Sequence, residues 1–206
     1  MMKHALLTLL FSVFFISEAD AEDKNVPIVP TQAYELATLA GGCFWCIQPP
    51  YDKLIGQGVI ETRVGYSGGE TKNPTYESVS RGKTGHAESL QIKFDPTKIT
   101  YEKILEIFWE NIDPTDAYGQ FVDRGSQYRP AIFYHDDQQK KIALESRKKL
   151  DESKKYSKPI SVEVTRYKSF YDAEEYHQKY YEQSPIRYKL YKKGSGREAY
   201  LKSDKK

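Results

Sequence analysis

Cysteine is scarce in this sequence. Its 206 residues contain only two, Cys43 and Cys46, too few for the disulfide framework that holds small secreted folds together. A domain of this length does not need one, because it buries on the order of 70% of its unfolded surface. Charge of one sign is lacking as well. Lys and Arg number 31 against 29 Asp and Glu, a net charge of +2, which provides no general basic surface for phosphates, and no nucleic-acid partner is expected. The chain has no internal repeat and no low-complexity tract. Its main apolar run, Ala5 to Ile16, falls short of the about 20 residues needed to span a bilayer. With 39% hydrophobic and 29% charged residues, the composition fits one globular domain.

The two ends differ from this average. Met1-Met2-Lys3-His4, the apolar run and Ser17-Glu18-Ala19-Asp20-Ala21 form the three regions of a cleavable secretory signal, residues 1–21, with an uncleaved anchor as the competing reading. Cleavage would start the mature chain at Glu22 and place it in the periplasm or outside the cell, where a C-x-x-C pair is a disulfide unless something reduces it. Residues 22–33 read as an extended lead-in and 34–185 as the folded domain. Residues 186–206 carry eight Lys or Arg against Glu198 and Asp204. They read as a solvated basic tail, or else as a contact for anionic lipid or an acidic partner.

Between these ends, Glu35 to Ala40 is a short strand stopped by Gly41-Gly42, with a helix starting at or just after Cys43. Pro49-Pro50 suggests that this helix begins late or is irregular. Val59 to Tyr66 forms a second strand with Ile60, Val64 and Tyr66 on one face. A long loop carrying Tyr76 then ends at Gly85-His86. Glu88 to Phe94 alternates, with Leu90, Ile92 and Phe94 on one side. Thr100 caps a helix with an apolar stripe of Ile104, Leu105 and Phe108. Ala131 to Tyr134 is a strand, Asp137 to Ser153 a Lys-rich helix, Ile160 to Arg166 a strand with Val162 and Val164 inward, and Asp172 to Tyr180 a last short helix. This order predicts an α+β fold: a two-layer sandwich with a ferredoxin-like split β-α-β core, a mixed sheet and C-terminal additions.

Two features carry chemistry. A helix N-terminus favours a thiolate through its dipole and unpaired donors, and Cys43 falls at such a place. Residues three apart share a helix face about 5–6 Å apart, within disulfide range, so Cys46 can reach Cys43. The loop they would close is tiny, which favours a redox role over a structural one. Phe44 and Trp45 are either core aromatics or an apolar pocket beside the thiol. Glu88 is the second feature, an acid in register with Leu90, Ile92 and Phe94. Buried, its carboxyl would rise in pKa toward that of a proton donor; at the strand's first residue it would instead escape to solvent.

Gly42-Cys43-Phe44-Trp45, Gly65-Tyr66-Ser67-Gly68-Gly69, Asn73-Pro74-Thr75-Tyr76, Gly85-His86-Ala87-Glu88, Phe108-Trp109-Glu110-Asn111, Gln127-Tyr128-Arg129 and Ala173-Glu174-Glu175-Tyr176-His177 follow one another in an order that resembles the A-class peptide methionine sulfoxide reductases. The resemblance implies reduction of methionine S-sulfoxide, free or within proteins. By it, Cys43 attacks the sulfoxide sulfur, Glu88 donates a proton, and Tyr76 and Tyr128 hydrogen-bond the oxygen with Asp123 completing the polar side. Phe44 and Trp45 hold the S-methyl group; many family members place Gly where Cys46 stands, but with no other cysteine in this chain Cys46 is the only candidate to resolve a Cys43 sulfenic acid as a disulfide. It also implies no bound cofactor, an external thioredoxin-like electron donor and a monomer. Two departures from the family pattern stand out: many relatives carry resolving cysteines near the C-terminus, where this chain has none, and many carry Glu in place of Gln48.

Two competing readings remain at this stage. An exported thioredoxin-type thiol-disulfide oxidoreductase would also centre on C-x-x-C at a helix start. A zinc site on Cys43, Cys46, His86 and His177 would need no catalysis, but it lacks the usual second close ligand pair.

Overall fold

The computed structural model describes residues 34–203. The expected signal and lead-in, and residues 204–206 of the expected tail, lie outside the described residues.

Strand β1 (Glu35–Ala40) leads through Gly41-Gly42 into helix α1 (Phe44–Asp52), and β2 (Val59–Ser67), β3 (Ala87–Phe94) and α3 (Tyr101–Glu110) follow, with the short α2 (Tyr76–Ser80) between β2 and β3. Strand β6 (Ala131–Tyr134) comes after a small hairpin, β4 (Gly119–Gln120) and β5 (Asp123–Arg124); α4 (Asp137–Glu152), β7 (Glu163–Arg166) and β8 (Phe170–Asp172) complete the sheet region. The main sheet runs β7-β6-β1-β3-β2-β8. β1 is antiparallel to both β3 and β6, β2 is antiparallel to both β3 and β8, and β6 with β7 is parallel. Because β3 inserts between β1 and β2, the unit β1-α1-β2 is a split β-α-β, and the expected α+β architecture with a mixed sheet is the one observed.

Register explains the core. Ile132 lies opposite Leu39, Leu39 opposite Leu90, and Leu90 opposite Val64, so one row of side chains crosses four strands, each fully buried. Phe44 and Ile47 of α1 and Ile104, Leu105 and Phe108 of α3 pack on this face. Two residues before Leu90 on the same face stands Glu88, 2% exposed, opposite Tyr66. The pairing pattern thereby carries an acid under the start of α1.

Several elements differ from the sequence expectation. Ile60 is 45% exposed rather than aligned with Val64 and Tyr66, because a bulge between Val59 and Glu61 shifts the register. α1 neither starts late nor breaks: Pro49 and Pro50 lie inside it. Neither can donate to the carbonyl four residues back, at a cost of about 3 kcal/mol. Burial of Phe44, Ile47 and Tyr51 offsets it at about 1.5–3 kcal/mol per side chain.

The loop after β2 contains α2, whose N-cap Thr75 accepts from Ser78 N. The strand expected over Ile160 to Arg166 is shorter, starting at Glu163. The helix expected over Asp172 to Tyr180 is instead the end of β8, a 3-10 turn at Glu175–His177 and α5 (Tyr180–Gln183). Gln178 interrupts it by bonding both Val64 N and Val64 O, and Lys179 follows with φ +47°. The expected solvated tail is folded as α6 (Pro185–Gly194) and α7 (Arg197–Lys202). Its Arg197 is 2% exposed.

Candidate active site

The turn that delivers Cys43 depends on a glycine. Gly42 has φ +81°, and a Cβ there would sit 2.5 Å from Gln120 Cβ. Cys43 then takes the N-cap position of α1 and Cys46 the first turn, with Cys46 N donating to Cys43 O at 3.0 Å. Both are free thiols, 7% and 4% exposed.

The expectation that the helix start makes Cys43 a resting thiolate is corrected. Burial, then Glu88 and Cys46, push its thiol well above the ordinary value, while the Tyr191 hydroxyl pulls it down. Desolvation disfavours the anion more than the helix end favours it. Burial also raises the Cys46 thiol, against the pull of Arg197 and Lys192.

Glu88 does not escape to solvent. Its Oε2 accepts from Phe44 N at 3.1 Å, and burial, only partly offset by that hydrogen bond, pushes its carboxyl up to about 8. Near neutral pH the site therefore holds a neutral thiol and a neutral acid on adjacent elements. Tyr76 begins α2, and Tyr128 closes the 3-10 turn Ser126–Tyr128. Burial, Glu88 and Cys43 push the Tyr76 hydroxyl up to about 12, and burial followed by Glu88 and Tyr76 raises that of Tyr128. Asp123 of β5 is raised by burial, held down in part by Tyr191 and Arg197. These mutual influences make Cys43, Glu88, Tyr76, Tyr128 and Asp123 neighbours in one region of the fold.

Other motif residues hold that region in shape. Gln127 Nε2 donates to Ser80 O at 3.2 Å and Arg129 Nη2 to Gly85 O at 3.0 Å, fastening the Tyr128 turn to the loop bearing Tyr76. Glu174 accepts from Tyr66 Oη and from Tyr76 N, both at 2.8 Å. His86 accepts from Gly69 N at 3.1 Å with Nδ1 and faces Thr71 O at 2.8 Å with Nε2, so its ring braces two loops. Among the described residues no group of three or more His, Cys, Asp or Glu is placed to hold a metal ion.

Sequence reasoning missed Tyr180 and Tyr191, and named His177 only within the last family motif and as a zinc candidate. His177 Nδ1 accepts from Trp45 Nε1 at 3.0 Å, and burial holds the imidazole down at about 4, so it stays neutral and able to accept. Tyr180 stacks on Trp45 at 3.8 Å between ring centroids. Tyr191 of α6 meets Trp45 edge-on at 5.6 Å, donates to Asp123 Oδ2, and is itself raised by burial and then by Cys43. The available signal was Pro185, favoured at a first helical position, followed by tyrosines at 188 and 191, three apart on one face. Phe44, fully buried between Tyr66 and His177 at 6.1 and 5.0 Å, is part of the core as well as of the site.

Gln48, the departure noted above, is buried, donating to Thr62 Oγ1 at 3.0 Å and accepting from Lys179 N at 2.8 Å. It ties α1 to β2 and to the C-terminal segment rather than facing the thiols.

Two buried thiols in one turn of helix, a neutral acid and neighbouring tyrosine hydroxyls on an α+β sheet define a thiol-dependent reductase. The family model for peptide methionine sulfoxide reductase matches residues 35–206, and the chain belongs to that family. It is 54% identical over 167 residues to the peptide methionine sulfoxide reductase MsrA of Bacillus licheniformis, covering 81% of this chain and 91% of that one. It is also 46% identical over 197 residues to the MsrA/MsrB protein of Vibrio cholerae, where the match covers 96% of this chain but 51% of that longer relative. Among solved structures, reduced Mxr1 from Saccharomyces cerevisiae superposes with a TM-score of 0.70 at 34% identity, covering 75% of this chain and 87% of that one. Mxr1 solved in complex with Trx2 superposes at 0.53 with 27% identity, covering 76% of this chain and 91% of that one. None of these findings supports the thioredoxin-type alternative.

Proposed function

We propose that this peptide-methionine (S)-S-oxide reductase works through Cys43 as nucleophile, Glu88 as acid and Cys46 as resolving thiol. The observation that carries this reading is Glu88, buried and neutral near pH 7, hydrogen-bonded to the amide of the residue that follows Cys43. The Cys43 sulfur attacks the sulfoxide sulfur while Glu88 protonates the oxygen and regains a proton from the thiol. Tyr76 and Tyr128 stabilise the charge that develops on that oxygen, with Asp123 on the same polar side. The S–O bond then breaks to leave Cys43 joined to the methionine sulfur as a thiosulfonium, and the released hydroxide adds to the Cys43 sulfur. The S–S bond breaks with its electron pair on the methionine sulfur, so that methionine leaves and Cys43 is left as a sulfenic acid. Phe44 and Trp45 supply the apolar wall for the S-methyl group, with His177 fixing the Trp45 ring.

Cys46 then attacks the Cys43 sulfur, forming a disulfide and releasing water. A thioredoxin-type reductant reopens it, a step supported by the complex of the relative Mxr1 with Trx2. Reduced enzyme given one equivalent of methionine S-sulfoxide is expected, by mass spectrometry, to lose two hydrogens and to link Cys43 with Cys46. In Cys46→Ser one equivalent of methionine still forms and a trappable sulfenic acid remains. A trappable sulfenic acid persisting in the wild type would overturn the resolver assignment.

We also propose that the chain is exported, to the periplasm or beyond, on the strength of its charged start, short apolar run and Ala19-Asp20-Ala21. N-terminal sequencing of the mature protein is expected to begin at Glu22; a start at Met1 in a cytosolic fraction would contradict it. Among the described residues no helix is long and apolar enough to cross a membrane.

A further inference from the structure

A sulfoxide carries an apolar methyl and a polar oxygen on one sulfur atom, so a site that receives both must hold an apolar and a polar surface at a set separation. Here the two surfaces come from different elements: Trp45 belongs to α1 and Asp123 to β5 of the small hairpin. Tyr191 of α6 meets both. Its ring stands edge-on to Trp45, at 5.6 Å between centroids and 85° between planes, and its Oη donates to Asp123 Oδ2 at 2.5 Å.

Each surface is also braced from its own side. Tyr180 stacks on Trp45 at 3.8 Å and 12°, and His177 Nδ1 accepts from the Trp45 indole. In the hairpin, the fully buried Gln120 side chain donates to Asp113 O at 2.8 Å and accepts from Asp113 N at 2.7 Å. Phe121 holds φ +59°, a left-handed conformation unfavourable to a bulky side chain, with its ring against Tyr200 at 5.2 Å and the Arg197 guanidinium at 4.8 Å. These braces fix each surface by itself; Tyr191 ties one to the other by direct contact. No residue of α6 is buried, and its Ile186 and Leu190 are 76% and 68% exposed. The helix is therefore not seated by a core of its own, and Tyr191 is its contact with the site.

We propose that Tyr191 is a specificity-determining residue, holding the Trp45 wall and the Asp123 side at the separation that fits a sulfur-bound methyl. The inference rests on the assignment of Trp45 to the methyl and Asp123 to the oxygen of the substrate. Tyr191 acts through these two residues and takes no part in the bond changes, so it is a positioning residue. Burial, followed by Cys43 and the bond to Asp123, raises its hydroxyl, which keeps it a neutral donor. An S-ethyl group brings one methylene more than a wall held at this separation accepts.

The test compares kcat/KM for methionine S-sulfoxide and for its S-ethyl homologue, ethionine S-sulfoxide, in the full chain with dithiothreitol as reductant. Tyr191→Phe keeps the ring against Trp45 and removes the bond to Asp123. The wild type is expected to prefer the methyl compound by about tenfold or more, and the variant to lose about fivefold or more of that preference while still forming methionine. A wild type without the preference, or a variant that keeps it, would overturn the proposal whatever happens to the rate or the melting temperature, and would leave Tyr191 a structural prop.

Should the Phe variant fail to fold, Asp123 decides. In Asp123→Asn the amide oxygen still accepts from Tyr191, whereas Asp123→Ala leaves the hydroxyl without this partner. Both are expected to be slower than the wild type, with the methyl preference kept in the Asn variant and lowered in the Ala variant; an equal preference in the two would overturn the proposal. An Asp123→Ala variant as fast as the wild type on methionine S-sulfoxide would overturn the assignment of Asp123 to the polar side, a result distinct from any change in preference.

Discussion

At the scale of single residues, desolvation governs the site. Glu88 has an ordinary carboxyl value of 4.5 and stands at about 8 in the fold, so folding binds a proton that the unfolded chain gives up. A group raised in this way contributes stability that is fully present below about 4.5 and lost as pH rises through about 8. Within that window the slope approaches 1.4 kcal/mol per pH unit. Glu88→Gln removes the titration. Urea denaturation of both proteins across the window is expected to show the variant gaining on the wild type as pH rises, and a difference constant with pH would show that Glu88 is not held neutral. Parity with Leu90 revealed the anomaly of Glu88, but only the pairing of β3 with β2 and the seat of α1 above it decide that it is buried.

At the scale of elements, the hinge between β1 and α1 carries the most constraint. Gly42 and Gly56 both have positive φ, at +81° and +85°, but a Cβ at Gly42 collides with Gln120 whereas nothing lies within 4 Å at Gly56. Each Ala substitution incurs about 1–2 kcal/mol of left-handed strain. Gly42→Ala is expected to lose more stability, by roughly 1–3 kcal/mol beyond that for overpacking, and to lower methionine sulfoxide turnover, which Gly56→Ala leaves unaltered. Equal melting temperatures and rates would contradict the account. Strand alternation and the Thr100 cap made β1, β3, α3 and β6 legible in the sequence, because their period or cap is local. The bulge near Ile60, the run of α1 through Pro49-Pro50 and the break at Gln178 were not, since each depends on a partner elsewhere: β3, the core under Phe44 and Ile47, and the backbone of Val64.

At the scale of the whole molecule, the site is closed by its own C-terminal segment. The motifs from Cys43 to Tyr128 marked most of the candidate site, but Tyr191 and Arg197 fall in a stretch whose eight cations read as solvent-exposed. Charge count hid the fact that Tyr191 reaches Asp123 and that Arg197 reaches Gly41. The low cysteine count gains meaning from this arrangement: with no thiol beyond Cys43 and Cys46, α6 and α7 contribute hydroxyl and cation rather than a further sulfur.

The central claim is that a buried neutral Glu88 protonates the sulfoxide as Cys43 attacks it. The direct measurement is the rate of methionine formation in a single turnover, against pH, for the wild type and Glu88→Gln. The wild-type rate is expected to fall as pH rises through about 8. The variant is expected to be slower by on the order of 10²–10⁴-fold without that fall. A variant matching the wild type in rate and pH profile would contradict the claim.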